Sequence, residues 1–300
     1  MNRIVLTGGT GFVGRVIAAK AAARWPGVRV VVPTRRLAAG RHLQTLPQVE
    51  LVVADVHDGA QMSSLLQGAD ALVHCVAILH GTPAAFDRVH VQLPRTLAAA
   101  CLAARVPRVV HLSALGVATD APSNYLRSKA AGEAVWRHSG LAVTMLRPSV
   151  IFGEQDRFTN LFAGLLKLFP VLPLAGADAK FQPVWVGDVA DATLACLNPD
   201  QAALPIVECA GPEVLSLRQI IQRVGRMTGH ERPVLALPEA LGRLQAGAMS
   251  LMPGEPLMSA DNLLSMRVPN VATQQHPGLS ALGIQSASLD LLAAHFKRQP

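Results

Sequence analysis

The chain has 300 residues, half of them apolar and 16% charged, with a formal net charge of +7. That balance describes an ordinary globular core and excludes long disordered segments. It also speaks against a nucleic-acid surface: the basic charge comes without a run of five like residues, and a single tyrosine offers little for stacking on bases.

In chain order, β-branched runs predict strands over residues 4–7, 28–32, 51–54, 71–75 and 108–113. Helical periodicity fills the gaps between them, most plainly at 15–24 and 93–105. Parallel neighbours need crossover connections, so this alternation predicts an α/β fold with a doubly wound parallel sheet and helices on both faces. Next come a helix over 125–138, a strand over 142–146 and a helix over 160–169. Beyond that, segments rich in proline and glycine appear at 169–176, 253–256 and 268–278, and residues 181–186 and 205–208 read as isolated strands. The expected organisation is a first domain over 1–150, to which 184–205 returns. A smaller interleaved region covers 151–183 and 206–300.

The longest apolar stretch, 161–176, is interrupted by Lys167, Pro170 and Pro173, so no transmembrane segment is expected. The short apolar run after Arg3 leads straight into glycines, so no secretory signal is expected either. Cys75, Cys101, Cys196 and Cys209 show no CxxC pair and read as buried thiols of a reducing compartment. A cytoplasmic location follows, with contact at the inner face of a membrane left open.

Gly8, Thr10, Gly11, Phe12, Val13 and Gly14 follow the first strand and open an alanine-rich helix. That is the context of a dinucleotide phosphate loop. Gly8 permits the tight turn, Gly11 the approach of backbone to a pyrophosphate, and Gly14 close packing of the helix. The helix N-terminus then offers free N–H groups to the anion. An NAD-specific fold places a carboxylate about twenty positions on. This chain has Arg35 and Arg36 there and no carboxylate before Glu50. Two guanidiniums suit a 2′-phosphate, so NADP(H) is the expected cofactor and NAD(H) the alternative. Asp55 and Val56, after the third strand, are assigned to the adenine end, although an aspartate there also serves as a helix cap.

Tyr125 and Lys129 stand four apart at the start of a helix, on one face, and Ser113 ends the preceding strand. Together they form a proton relay for hydride chemistry: Lys129 is expected to lower the Tyr125 pKa, and Ser113 to orient a substrate carbonyl or hydroxyl.

The blocks from Thr7 to Gly14, Ser113, Tyr125 to Lys129 and Arg147 to Ser149 resemble an extended or atypical short-chain dehydrogenase/reductase of epimerase/dehydratase type, with a Rossmann-type sheet. More narrowly, residues 124–133, 147–158 and 182–189 are similar to the family of the nucleotide-binding accessory subunit of respiratory complex I and its bacterial relatives. The resemblance implies bound NADP(H), with Pro148 and Ser149 beside the nicotinamide and Ala77 near the cofactor's middle. It also implies a respiratory or quinone-synthesis complex as partner, beside a small-molecule substrate. Two functions are therefore carried forward: an oxidoreductase acting on a small, apolar carbonyl or alcohol, and a non-catalytic nucleotide-binding accessory protein.

The histidines, among them His74, His80, His90 and His111, lack i, i+4 pairing, so no metal site is expected. Phe158, Phe162, Leu165, Leu166 and Phe169 form an apolar helix face, read first as core and second as a substrate wall. Residues 239–252 read as a buried helix, or as one lying on a partner or membrane.

Overall fold

The computed structural model describes residues 1–198, 204–238 and 259–297. Its first half runs β1 (Arg3–Thr7), α1 (Phe12–Arg24), β2 (Arg29–Thr34), β3 (Val49–Val53), α2 (Gly59–Leu66), β4 (Ala71–His74), α3 (Pro83–Asp87), α4 (Leu93–Ala103), β5 (Val109–Leu112), α5 (Asn124–Arg137) and β6 (Val143–Pro148). The second half adds β7 (Ile151–Phe152), α6 (Arg157–Leu168), β8 (Leu172–Ala175), β9 (Lys180–Phe181), β10 (Val184–Trp185), α7 (Val186–Leu197), β11 (Ile206–Cys209), β12 (Leu215–Ser216), α8 (Leu217–Thr228), β13 (Val234–Leu237) and α9 (Ala260–Ser265).

Seven strands form one parallel sheet in the order β11-β6-β5-β4-β1-β2-β3. The order reverses between β1 and β4, and ligands of such sheets bind outside the C-terminal strand ends at that point. Alternation along the strands explains the two faces. Ile4 and Leu6 of β1 face α1 and α7 through Ile17, Ala21, Val189 and Leu197. Val5 faces the opposite layer of Met62, Leu97, Cys101 and Trp136, drawn from α2, α4 and α5. Both faces are covered, so the strands read as near-continuous apolar runs. A third cluster, with Phe162, Leu166, Ile220 and Val224, packs α6 on α8 away from the sheet.

The predicted doubly wound architecture is present, and element ends move by a few residues. Two readings of the second half change. Residues 205–208, expected as an isolated strand, fall in the edge strand β11, paired with β6 from Ile206↔Met145 to Cys209↔Pro148. Its pattern was obscured by Glu208, which is only 2% exposed because its carboxylate accepts from the Thr273 and Gln274 N–H groups and the Thr273 hydroxyl. Residues 181–186 are not one strand. They divide between β9, which pairs with β12, and β10, which pairs with β7. Helix α7 packs on α1 and β1 and is buried almost all round, as a helix within a core must be. The helix read over 239–252 lies outside the described residues.

Candidate functional site

The loop after β1 is shaped by backbone alone. Gly8 has φ +77°, a left-handed conformation that glycine adopts freely. A Cβ on Gly8 would stand 3.0 Å from the Cys75 carbonyl carbon, so this turn abuts the exit of β4. The Gly11 N–H closes the turn on the Gly8 carbonyl at 3.0 Å. Gly11 then caps α1 without a side-chain hydrogen bond, and the first turn holds no acidic residue. The N–H groups of Phe12, Val13 and Gly14 lie in that first turn, where no intrahelical acceptor exists. A Cβ on Gly14 would fall 2.3 Å from the Gly8 oxygen, whereas at Gly11 the nearest atom stands at 3.2 Å and the outer side is open. A cradle of free amides with the helix dipole behind it fits a diphosphate.

At the end of β2, Thr34 orders the turn. Its hydroxyl donates to the Arg36 carbonyl at 3.1 Å and accepts from the Arg36 N–H at 3.3 Å. Arg35 and Arg36 are exposed, and among the described residues neither guanidinium makes an ion pair. The pKa of His57 is lowered, first by burial and then by Arg88, with Arg35 adding to it and Asp55 opposing. Cationic groups therefore gather where β2 and β3 end. Asp55 is not the cap of α2: its carboxylate accepts from the His57 N–H, and Asp58 caps the helix through the Ala60 and Gln61 N–H groups. Val56 is half-buried against the core of that layer, and Ala77 is exposed in the loop after β4.

Ser113 follows β5, is 6% exposed, and its Oγ has no hydrogen-bond partner among the described residues. An orphaned buried hydroxyl is costly, and at a sheet's C-terminal edge it marks a place for a ligand atom. Lys129 is 1% exposed, and its ammonium donates to the Leu112 carbonyl, one residue before Ser113, at 2.6 Å. Burial lowers its pKa to about 8 against the opposing pull of Glu133 and Cys75. Glu133 is itself held by a bidentate pair from Arg147, at 2.9 and 2.6 Å, which ties α5 to β6.

Tyr125, in the first turn of α5, lies edge-on to His90 at 5.6 Å and to Phe86 at 6.2 Å. Its phenol is pushed up to about 12 by burial. The expected lowering by Lys129 is not found, because desolvation of the phenolate dominates here. At neutral pH this phenol therefore holds its proton.

Pro148 and Ser149 reach the same edge at the end of β6, and both are buried. The Ser149 hydroxyl is committed to Asn270, donating to its carbonyl at 2.9 Å and its side-chain oxygen at 2.7 Å. What these two offer a neighbour is backbone and ring rather than a free hydroxyl.

His90 was missed as a site residue, having been weighed only for metal binding. It sits in a π-turn, Arg88–Gln92, of the kind that collects at functional sites. Its Nε2 accepts from the Ile78 N–H at 3.2 Å, so Nδ1 carries the proton and donates to Ser128 Oγ at 2.8 Å. Ser128 in turn donates to the Tyr125 carbonyl at 2.8 Å. Burial, then Lys129, lowers the His90 pKa to about 3, so the ring is neutral and fastens the β4 exit loop to α5. No local sequence signal distinguishes it. On α6, Phe162 and Leu166 are core residues and Phe158 and Leu165 pack against them, while Phe169 is 45% exposed.

A family model described as NAD(P)H-binding matches residues 8–167, a span that holds the glycine loop, Ser113, Tyr125 and Lys129. The chain belongs to this NAD(P)H-binding family. The chain is 28% identical to NADH dehydrogenase (ubiquinone) 1 alpha subcomplex subunit 9, mitochondrial, of Mus musculus, over 97% of this chain and 78% of that protein. In fold it is similar to an NADPH-dependent quinone oxidoreductase from Escherichia coli, with a TM-score of 0.81, 21% identity, and 98% of this chain and all (100%) of that one covered. A nucleoside-diphosphate-sugar epimerase from Staphylococcus aureus superposes with a TM-score of 0.75 at 16% identity, covering 98% of this chain and 99% of that one. These neighbours agree on the NAD(P)-binding Rossmann fold. Among the described residues, no helix is long and apolar enough to cross a membrane, and no group of three or more His, Cys, Asp or Glu is placed to hold a metal.

Proposed function

We propose that the chain is an NADP(H)-dependent oxidoreductase of the atypical short-chain type, acting on a small, apolar carbonyl or alcohol such as a quinone-related compound. The observation that carries this reading is the buried, unpartnered Ser113 hydroxyl at the sheet edge that also holds Tyr125 and Lys129. In this reading Gly8, Thr10, Gly11, Phe12, Val13 and Gly14 hold the diphosphate, and Arg35 and Arg36 grip the 2′-phosphate. Asp55, Val56, Ala77, Pro148 and Ser149 line the remainder. When bound, the nicotinamide supplies or accepts the hydride. Ser113 orients the substrate oxygen by hydrogen bonding. Tyr125, which keeps its proton at neutral pH, donates it to that oxygen as a carbonyl becomes an alcohol, and recovers one from solvent afterwards. Lys129, with a pKa of about 8, is cationic for most of the neutral range and stabilises the phenolate left behind.

Calorimetry with both nucleotides tests the cofactor. Arg35→Ala and Arg36→Ala together are expected to weaken NADPH binding about a hundredfold or more, since charge-assisted contacts are each worth roughly 1.5–3 kcal/mol. NADH binding should change little, and equal losses for both nucleotides would remove the 2′-phosphate assignment. For the chemistry, Tyr125→Phe should lower turnover of a quinone or ketone panel by about two orders of magnitude or more with nucleotide affinity kept. Unaltered turnover ends the catalytic reading.

The likeness to a complex I subunit along nearly the whole chain favours a second reading, a non-catalytic nucleotide-stabilised accessory protein of a respiratory or quinone-synthesis complex. It would reside in the cytoplasm at the inner face of the membrane. Co-migration of the intact protein with such a complex on native gels supports it, and normal respiration and quinone levels after deletion refute it.

A further inference from the structure

The segment 259–274 belongs to the second half of the chain, yet it touches several parts of the sheet's C-terminal edge. Asn270 takes the Ser149 hydroxyl and the Val150 N–H, and Thr273 takes the end of β11. Before them, α9 carries Asp261 to the head of α5. One carboxylate oxygen accepts the Asn124 N–H at 2.8 Å, and the other accepts the Tyr125 N–H at 2.9 Å. The local cap, Ser123, accepts only from Leu126 at 3.2 Å. Two of the orphan donors of this helix are thus satisfied by a residue 136 positions away from Tyr125, bearing the charge that the positive helix end favours. Asp261 also acts on His80 in the loop after β4, in the direction opposite to Arg157.

We propose that Asp261 is a positioning residue for Tyr125. By holding the N–H of Tyr125 itself, it makes the seat of the phenol depend on the docking of α9. The inference rests on the reading of Tyr125 as the proton-bearing group, and it adds that the substrate-side region sets that group. The opposite wall is already fixed, with Phe86 and His90 against the ring and Lys129 one turn on. Release of Asp261 therefore frees the backbone that carries the ring and leaves the contacts with Phe86 and His90 to place it.

The only tyrosine in the chain is Tyr125, so full-length protein labelled with ring-¹³C tyrosine gives one phenol resonance. Without any nucleotide, Asp261→Asn is expected to shift that resonance. It should also at least double the tyrosinate absorbance at about pH 10.5, since water reaching the ring relieves the burial that holds the phenol up. Of the titratable groups around Tyr125, His90 packs against the ring and is neutral, Lys129 is bonded to the Leu112 carbonyl, and Asp261 touches the Tyr125 backbone. Asp261→Glu should restore most of the wild-type signal. Ser123→Ala, which removes the neighbouring cap alone, should leave the resonance within a small fraction of the Asp261→Asn shift. An unmoved resonance in folded Asp261→Asn protein overturns the proposal, and so does an equal shift in Ser123→Ala, which would indicate mere fraying of the helix end. If Asp261→Asn does not fold, Asp261→Ser, which keeps one acceptor, is read by the same criteria. Failure of the wild-type protein to bind NADPH would sink the proposed function while leaving the phenol shift standing.

Discussion

Acidification from pH 7 to about 5 is expected to cost this protein a large part of its stability, well before its carboxylates titrate. His74 and His90 are 1% and 2% exposed, and burial, with Lys129 adding to it, lowers each to about 3. His111 is lowered well below the ordinary histidine value by the same causes. The unfolded chain takes up protons at these positions as pH falls through 6.5, whereas the folded chain cannot do so until near 3. Their contribution is therefore whole above about pH 6.5 and is lost progressively from there downward. Each histidine costs about 1.4 kcal/mol per pH unit in that window, so His74 and His90 alone remove roughly 4 kcal/mol by pH 5. Small proteins hold about 5–15 kcal/mol in total. Asp156 and Asp188, whose pKa values burial raises, act in the opposite sense, but only toward the carboxylate range.

Urea unfolding followed by tryptophan fluorescence across pH 7 to 5 measures this directly, and a midpoint that stays constant would contradict the burial of the cluster. One variant sharpens the test. His74 and His111 stack at 5.1 Å beside Trp136, and neither His111 nitrogen has a partner among the described residues. His111→Phe keeps a flat ring in the stack and removes both unsatisfied atoms. It should flatten the pH dependence and raise stability at pH 5 by about 1–3 kcal/mol.

The second large effect separates fold from binding at the glycine loop. Gly14→Ala places a methyl 2.3 Å from the Gly8 oxygen and 2.6 Å from the Gly9 Cα. Both are backbone atoms of a tight turn and cannot give way cheaply, so stability should fall by on the order of 3 kcal/mol and nucleotide binding should vanish. Gly11→Ala meets only the Gly8 oxygen at 3.2 Å, and its φ of −81° suits any residue. Its stability cost should stay under about 1 kcal/mol, the difference between glycine and alanine at a helix cap. Its methyl nevertheless occupies the approach to the free amides of α1, so NADPH affinity should fall about a hundredfold or more. Calorimetry on the two variants, beside their melting temperatures, checks the pair. A Gly11→Ala protein that binds NADPH like the wild type would show that the loop is a structural turn and not a cradle.

Much of this was legible in residue order because its causes are local. A strand of alternating apolar residues, a glycine that must turn at Gly8, and a helix that opens at Phe12 are each set by neighbours within a few positions. The doubly wound sheet and its phosphate loop therefore follow from spacing. The Tyr125 and Lys129 pair, one helical turn apart, is legible for the same reason.

What residue order could not convey is how distant groups share a low-dielectric space. Whether Lys129 lowers the Tyr125 pKa depends on how much water the fold removes from both. Desolvation is the sum of every surrounding atom, so the phenol moved up rather than down. The strand at 205–208 was legible but its place as the seventh of the sheet was not, because Glu208 becomes tolerable in a buried strand only when Thr273 and Gln274 arrive from 65 and 66 residues away. His90, Asn270 and Asp261 gain their tasks in the same manner, as hydrogen-bond partners chosen by packing. The sequence by itself determined the doubly wound parallel sheet and the glycine turn at the head of its first helix. Only the tertiary structure decided which polar groups are left unpaired at the sheet's C-terminal edge, among them Ser113, and which remote side chains bond to Tyr125 and Ser149.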